Sequence, residues 1–249
     1  MSERLWHLRR CRLFERLSAE EIARLESRAM VRTFARKSPI FLPGDHARDV
    51  LLLASGRAQI CNLTEDGKRA ILGFIEPGEL FGELVIVGAT TRDHFAEAAE
   101  KSTILLLPGD EILNLMENHT EVSMGITRLI GMRRQRIERR LKNLLFQSNR
   151  QRLTYLLLEL VEQYGQTTAE GILIKIKLSH QDLADIIGAT RETVTVVLGE
   201  MQNEGLVRTG RRKIIICALD RLAESVHEPP PLPKSTPRQT PQRMPGMMS

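Results

Sequence analysis

Ser179, Gly188 and Thr190 partition the stretch LSHQDLADIIGATRETVTVVLGEMQNEGLV into two short helices joined by a tight turn. Ser179 stands where an N-cap is needed for a helix over His180–Ile187, with Asp182 in its first turn. Gly188 follows, at the point where the chain must enter a left-handed conformation to stop that helix. Thr190 caps a second helix over Arg191–Asn203, with Glu192 and Thr193 in its first turn. Leu183, Ile187, Val194 and Val197 fall where two steeply crossed helices must touch, and Ala184 is small where they approach closest. The outward-facing start of the second helix then reads Arg191, Glu192, Thr193, Thr195. An arginine can donate two bonds to guanine, a glutamate can accept from cytosine, and hydroxyls reach phosphates or base edges. With Ser179, His180 and Thr190 these residues form the expected surface for double-stranded DNA. The next segment, GLVRTGRRKIIICAL, reads as two strands around a basic turn, whose Arg211, Arg212 and Lys213 suit phosphate contact. A plain helical hairpin with a charged turn explains the helices but not the cap, the turn glycine, the small residue and the wing together.

The elements that must position this surface differ along the chain. From about Val31 to Pro108, short apolar or alternating runs (VLLLASG, AQICNLTEDG, KRAILGFIEPG, STILLLPG) end at Gly, Asp-Gly or Pro-Gly turns, the signature of an all-β roll. Ser18 to Glu21 form a capping box for a helix from Ala19 to Met30. Asp110 is expected to cap a short helix over EILNLMEN. A long helix over about Glu121–Gln147 follows, with Ile130, Ile137 and Leu144 spaced by seven and Leu141 between them. One narrow apolar stripe on so long a helix asks for a partner helix, although Gly131 and Arg134 interrupt it. A helix from Asn149 and a strand around ILIKIKL precede the DNA-reading element. Past Glu228 the composition turns to Pro, Ser, Thr and Gln, which cannot build a core. The expected fold is therefore α+β: an N-terminal double-stranded, jelly-roll-like β-roll (1–118), a dimerisation helix (119–148), a winged helix-turn-helix (149–222) and a disordered tail (223–249).

Composition narrows the function classes. The 249 residues are 42% hydrophobic and 27% charged, as in an ordinary globular chain. No apolar run reaches the ~20 residues of a spanning helix, and the start MSERLWHLRRCRLF has no signal-peptide core, which makes the cytoplasm the expected location. Cys11, Cys61 and Cys217 are far apart and form no CxxC pair, so no metal site is expected. No P-loop, GxSxG or HExxH motif is present, and no enzymatic activity is expected. The net charge of +5 is modest. Its distribution is uneven, with nine Lys/Arg and only Glu138 as acid between Arg128 and Arg152, and four basic residues from Arg208 to Lys213. The first run suits either a solvated helix face or a polyanion.

Up to about Ala223 the chain resembles the CRP/FNR family of bacterial regulators. FLPGDHARDVLLLASGRAQI is similar to the first strands of a cyclic-nucleotide-binding-type roll, GELFGEL to the start of its phosphate cassette, and LADIIGATRETVTVVLGEMQNEGLV to the family's helix-turn-helix. The resemblance implies a homodimer joined through the long helix, a near-palindromic DNA site, RNA polymerase as a partner, and no membrane association. It also implies an effector pocket at Gly82, Glu83, Leu84, Arg92, Asp93, Arg134, Ile137 and Glu138. In members that bind cyclic AMP, the cassette Glu meets the ribose and an Arg-Ser or Arg-Thr pair meets the phosphate. Here Glu83 and Arg92 match, but Asp93 replaces the hydroxyl residue and would oppose the phosphate. The family's Thr-Ser adenine contacts become Ile137 and Glu138. The expectation is an effector other than canonical cyclic AMP or none, with an Arg92–Asp93 or Arg92–Glu138 ion pair in the ligand's place. Iron–sulfur sensing lacks its cysteine cluster. For haem, His46, His94 and Cys61 have no distinctive spacing, and a lone histidine there is expected to be solvated. Val196 replaces a base-reading arginine, so site preference should differ. A cyclic-nucleotide-responsive regulator and a non-catalytic nucleotide-binding subunit of an enzyme remain the alternatives.

Overall fold

The computed structural model describes residues 7–9, 11–64 and 68–233. Most of the Pro-rich segment, from 234 on, lies outside the described residues. The chain divides into two compact units at residues 141/142, within the long helix.

In the N-terminal unit α1 (Ala19–Arg28) leads into β1 (Met30–Phe34), β2 (Pro39–Phe41), β3 (Asp49–Ser55), β4 (Ala58–Leu63), β5 (Arg69–Ile75), β6 (Leu80–Phe81), β7 (Phe95–Ala98) and β8 (Ser102–Pro108). These strands make two four-stranded antiparallel sheets, ordered β1-β8-β3-β6 and β2-β7-β4-β5, which is the roll. Strand β3 shows why the sequence reads as an unbroken apolar run. Leu51 and Leu53 face the space between the sheets with Ala58, Ile75, Phe81 and Ile104. Val50 and Leu52 face the opposite way, into a second core with Leu25, Leu105, Leu107, Ile112 and Ile126. A strand buried on both faces has no polar side to alternate with.

Two helices follow, α2 (Gly109–Asn118) and α3 (Thr120–Phe146). Ser18 closes the expected capping box on α1 through Glu21. The helix ends at Arg28 rather than Met30, because Met30 already pairs with Leu106 in the first sheet. Asp110 is not the cap of α2. Pro108 ends β8 and stands at that position without a side-chain bond, and the Gly109 N–H donates to Arg48 O. The helix thus starts directly off the strand, and Asp110, in its first turn, accepts from Arg28 at 2.8 Å.

The C-terminal unit contains α4 (Asn149–Tyr164), β9 (Gly165–Thr168), β10 (Gly171–Ile174), α5 (His180–Ile187), α6 (Arg191–Asn203), β11 (Val207–Gly210), β12 (Lys213–Ile216) and α7 (Leu219–Glu224). The strands form one antiparallel sheet, β11-β12-β10-β9. Leu183, Ala184, Ile187, Val194 and Val197 are all buried, together with Leu153, Leu157 and Ile214. Ser179 and Thr190 cap as expected, and Gly188 has φ 68°, a conformation that costs a side-chain-bearing residue about 1–2 kcal/mol. Packing continues past residue 222, since Ala223 and Val226 are buried.

Candidate DNA interface and effector cavity

The turn and caps set the first helical residues of α6 at the surface. Arg191 and Glu192 are exposed, and neither has a partner among the described residues. Thr195 Oγ1 donates to Arg191 O at 2.9 Å and lies 2.9 Å from His180 Nδ1. Because the hydroxyl proton is committed to the carbonyl, His180 Nδ1 is the donor of that second bond. Ser179 and Thr190 use their side-chain oxygens as caps, accepting from Asp182 N and Thr193 N. Thr193 Oγ1 lies 3.0 Å from Thr190 Oγ1. At the wing, Arg211, Arg212 and Lys213 are exposed and unpartnered among the described residues. Gln202 Oε1 accepts from both N and Oγ1 of Thr209 and ties the recognition helix to that wing.

The long basic run is used differently. Arg133 bonds Glu83 and Leu80 O, Arg134 bonds Glu138, and Arg140 donates to Leu72 O at 2.7 Å. Arg150 pairs with Glu200 and Glu204, and Arg152 donates to Gln147 O. These five cations are spent inside their own units. The free cations of the reading surface are those of α6 and the wing.

A cavity of about 280 Å³ lies in the N-terminal unit between the roll and α3. Its walls are mostly apolar, from Phe41, Ile60, Leu72, Phe74, Phe81 and Ile130. Gly82, Glu83, Leu84, Arg92, Asp93, Arg134 and Ile137, all expected at a pocket, line it as well. Glu138 does not; it is exposed and held by Arg134 Nε at 2.7 Å. Neither expected ion pair of Arg92 forms. Its Nη1 donates to Gly82 O at 2.9 Å, its Nη2 to Asp49 O at 2.6 Å, and the guanidinium lies 4.8 Å from the Phe41 ring centre. Asp93, the nearest carboxylate in sequence, is turned to solvent. Burial lowers the Arg92 pKa, against the pull of Asp49, Glu83 and Asp45. Glu83 opens the 3-10 turn Glu83–Val87 and accepts from Arg133 Nη1 at 2.5 Å. Gly82 precedes it with φ 69°, and a Cβ there would lie 2.6 Å from Arg92 Nη1.

Residues 31–119 match the cyclic nucleotide-binding domain family, and residues 151–225 match the Crp-like helix-turn-helix domain. The global nitrogen regulator of Nostoc sp. is 31% identical over 75% of this chain and 85% of its own length. The chain belongs to the CRP/FNR family. The cyclic AMP receptor protein of Thermus thermophilus is 31% identical over 80% of this CRP/FNR chain and 88% of its own length. A crystal structure of a CRP/FNR-family transcriptional regulator from Thermus thermophilus aligns with TM-score 0.65 at 27% identity, covering 80% of this chain and 99% of that one. The protein is accordingly a DNA-binding transcription regulator, and its relatives are regulators rather than enzymes. Among the described residues no helix is long and apolar enough to cross a membrane.

Among the cavity residues of this CRP/FNR chain that escaped the sequence reading are Arg133 and His94. Arg133 lies one helical turn before Ile137 and three residues after Ile130, a spacing that puts it on the roll-facing side of α3, but its pairing with Glu83 is long-range. His94, expected to be solvated, lines the cavity, and its Nδ1 is shielded from water without a hydrogen-bond partner.

Proposed function

We propose that this regulator works in the bacterial cytoplasm as a homodimer. It reads a near-palindromic promoter site, has RNA polymerase as a partner, and answers to an effector other than canonical cyclic AMP, if to any. The observation that carries the DNA reading is the set of free cations Arg191, Arg211, Arg212 and Lys213 on one helix start and its wing, while Arg133, Arg134 and Arg150 of the helical basic run are paired with carboxylates of their own units. An arginine and a glutamate side by side at the helix start support base readout, since a purely electrostatic binder gains nothing from Glu192. The exposed apolar residues Ile137, Leu141 and Leu144 support dimerisation along α3, and two half-sites about one helical turn apart follow from that geometry. Ile130, expected in the same stripe, packs against the roll core instead.

Three departures support an effector that is not cyclic AMP. Glu83, which would meet a ribose, is held by Arg133; Ile137 offers no hydrogen bond to a base; and Glu138 lies outside the cavity. Selection of bound duplexes from a random library tests the function, followed by salt titration on the winner. A regulator enriches a palindrome and retains preference for it over scrambled duplex as salt rises. Uniform binding to every sequence would overturn the proposal.

A further inference from the structure

On the exposed side of α6 one apolar side chain stands among the groups assigned to base edges. Val196 is 61% exposed, one helical turn beyond Glu192. Val194, Val197, Leu198 and Met201 are buried, so the inner face of the helix is complete without it. An isolated exposed valine is ordinary elsewhere on a protein, but on this side of this helix it meets whatever the helix reads. Its neighbours three and four residues away are Glu192, Thr193, Gly199 and Glu200. Thr193 is half-buried, with Oγ1 3.0 Å from Thr190 Oγ1, and Glu200 is turned to Arg150 at 3.4 Å. Gly199 carries no side chain, and a Cβ there would meet nothing within 4 Å. Glycine in a helix interior is unfavourable, and no atom of this unit needs the room, which lets another surface come against α6 beside Val196.

The hydroxyl of Thr195 is committed as well, donating to Arg191 O and lying against His180 Nδ1. Over its first two turns, α6 therefore offers base edges the Arg191 fork, the Glu192 carboxylate and the two methyl groups of Val196. In the major groove a methyl group marks thymine, and apolar side chains read it by contact. We infer that Val196 is the thymine-reading residue of this regulator, packing on the 5-methyl group of one thymine in each half-site. This deepens the promoter reading above and rests on it. Arg191 and Val196 are separated by about 7.5 Å of helix rise, so that thymine is expected within about three base pairs of the position that Arg191 reads.

The test uses the palindrome that the full-length protein enriches from a random library. Each thymine is replaced in turn, in both half-sites, by deoxyuridine, which removes the methyl group and keeps every hydrogen-bonding group. Wild type is expected to lose affinity at one thymine position within that span, about fourfold for one half-site and about sixteenfold for both, the worth of covering one methyl-sized group at each. With cytosine at the same position, methylating its C5 should recover about fourfold. Val196→Ala should bind the thymine and deoxyuridine duplexes almost equally, with a Tm no lower than that of wild type, because the side chain lies outside the buried face of α6. Lys213→Ala, which weakens every duplex, should keep the wild-type ratio between the two. Equal binding of thymine and deoxyuridine at every position, a palindrome with no thymine in that span, or a methyl dependence that Val196→Ala leaves intact would each overturn the inference. A protein that enriches a palindrome without any methyl dependence loses this inference alone. One that enriches no sequence loses the promoter reading and this inference with it.

Discussion

Arg191 and Lys213 are both exposed cations without partners among the described residues, yet they should behave differently when removed. Arg191 begins α6, where a planar fork can match a guanine edge; Lys213 begins β12 at the wing, where a point charge meets phosphates of any sequence. Arg191→Ala is therefore expected to cost about 1–3 kcal/mol on the selected site and to relax one base position. Lys213→Ala should weaken selected and scrambled duplex alike and lower the salt slope by about one. Equal losses on both duplexes for Arg191→Ala would refute base readout. The thiols divide just as cleanly. Cys11 is buried, bonds Gly78 O, and has its pKa pushed up to about 11 by desolvation; Cys61 is fully buried; Cys217 is exposed. A maleimide at neutral pH should label Cys217 in the native protein and all three after denaturation, because only the accessible thiolate reacts.

At the scale of single elements, α1 and the wing turn each hold a measurable device. The Ser18 N–H donates to Glu21 Oε2 at 2.9 Å and His119 Nε2 lies 2.6 Å from Glu21 Oε1, so α1 is tied both to its own cap and to the residue between α2 and α3. These bonds, the Ser18 N–H foremost, hold the Glu21 pKa down at about 2. A carboxylate depressed in the folded state contributes stability that is present above its unfolded pKa of about 4.3 and is lost as the pH falls towards the folded value. Melting curves of wild type and Glu21→Gln should thus differ at pH 6 and converge between roughly pH 4 and 2. A constant gap over that range would show that the cap carries no such linkage. At the wing, Arg212 adopts φ 54°, a left-handed conformation that disfavours a side chain. Arg212→Gly should raise stability by about 0.5–1 kcal/mol while weakening DNA binding, the two effects having opposite signs. Legibility followed the same division. The caps at Ser18, Ser179 and Thr190 and the turn at Gly188 were readable because each is decided within four residues. Strand β9 was not, since GQTT is polar and three of its four residues are exposed, and only its pairing with β10 makes it a strand. The Glu83–Arg133 pair and the shielded His94 Nδ1 depend on contacts across the roll that no local pattern encodes.

Among the described residues, the long helix carries an apolar row that its own unit does not cover. Along the second half of α3, Ile137 and Leu141 are each 53% exposed, Leu144 47%, Leu145 65% and Phe146 75%. Isolated exposed leucines are ordinary, but a row at helical spacing on one helix is the form of a helix–helix seam. The single chain gains little from these side chains, so replacing one should barely alter how each unit folds. A dimer gains a great deal: covering each such side chain contributes up to about 1.5–3 kcal/mol when burial is complete. Two joined reading helices also convert the second half-site contact into an intramolecular event, which multiplies affinity by about 100 to 10,000 when the geometry allows both. Leu141→Glu puts a charge in the middle of that seam and faces it with its symmetry mate. Sedimentation should then show a monomer where the wild type is a dimer, with little change in far-ultraviolet circular dichroism. Affinity for the full palindrome should fall at least about a hundredfold, while affinity for an isolated half-site stays near the wild-type value. A variant that remains dimeric, or that loses half-site and palindrome binding equally, would show that α3 is not what joins the two reading heads.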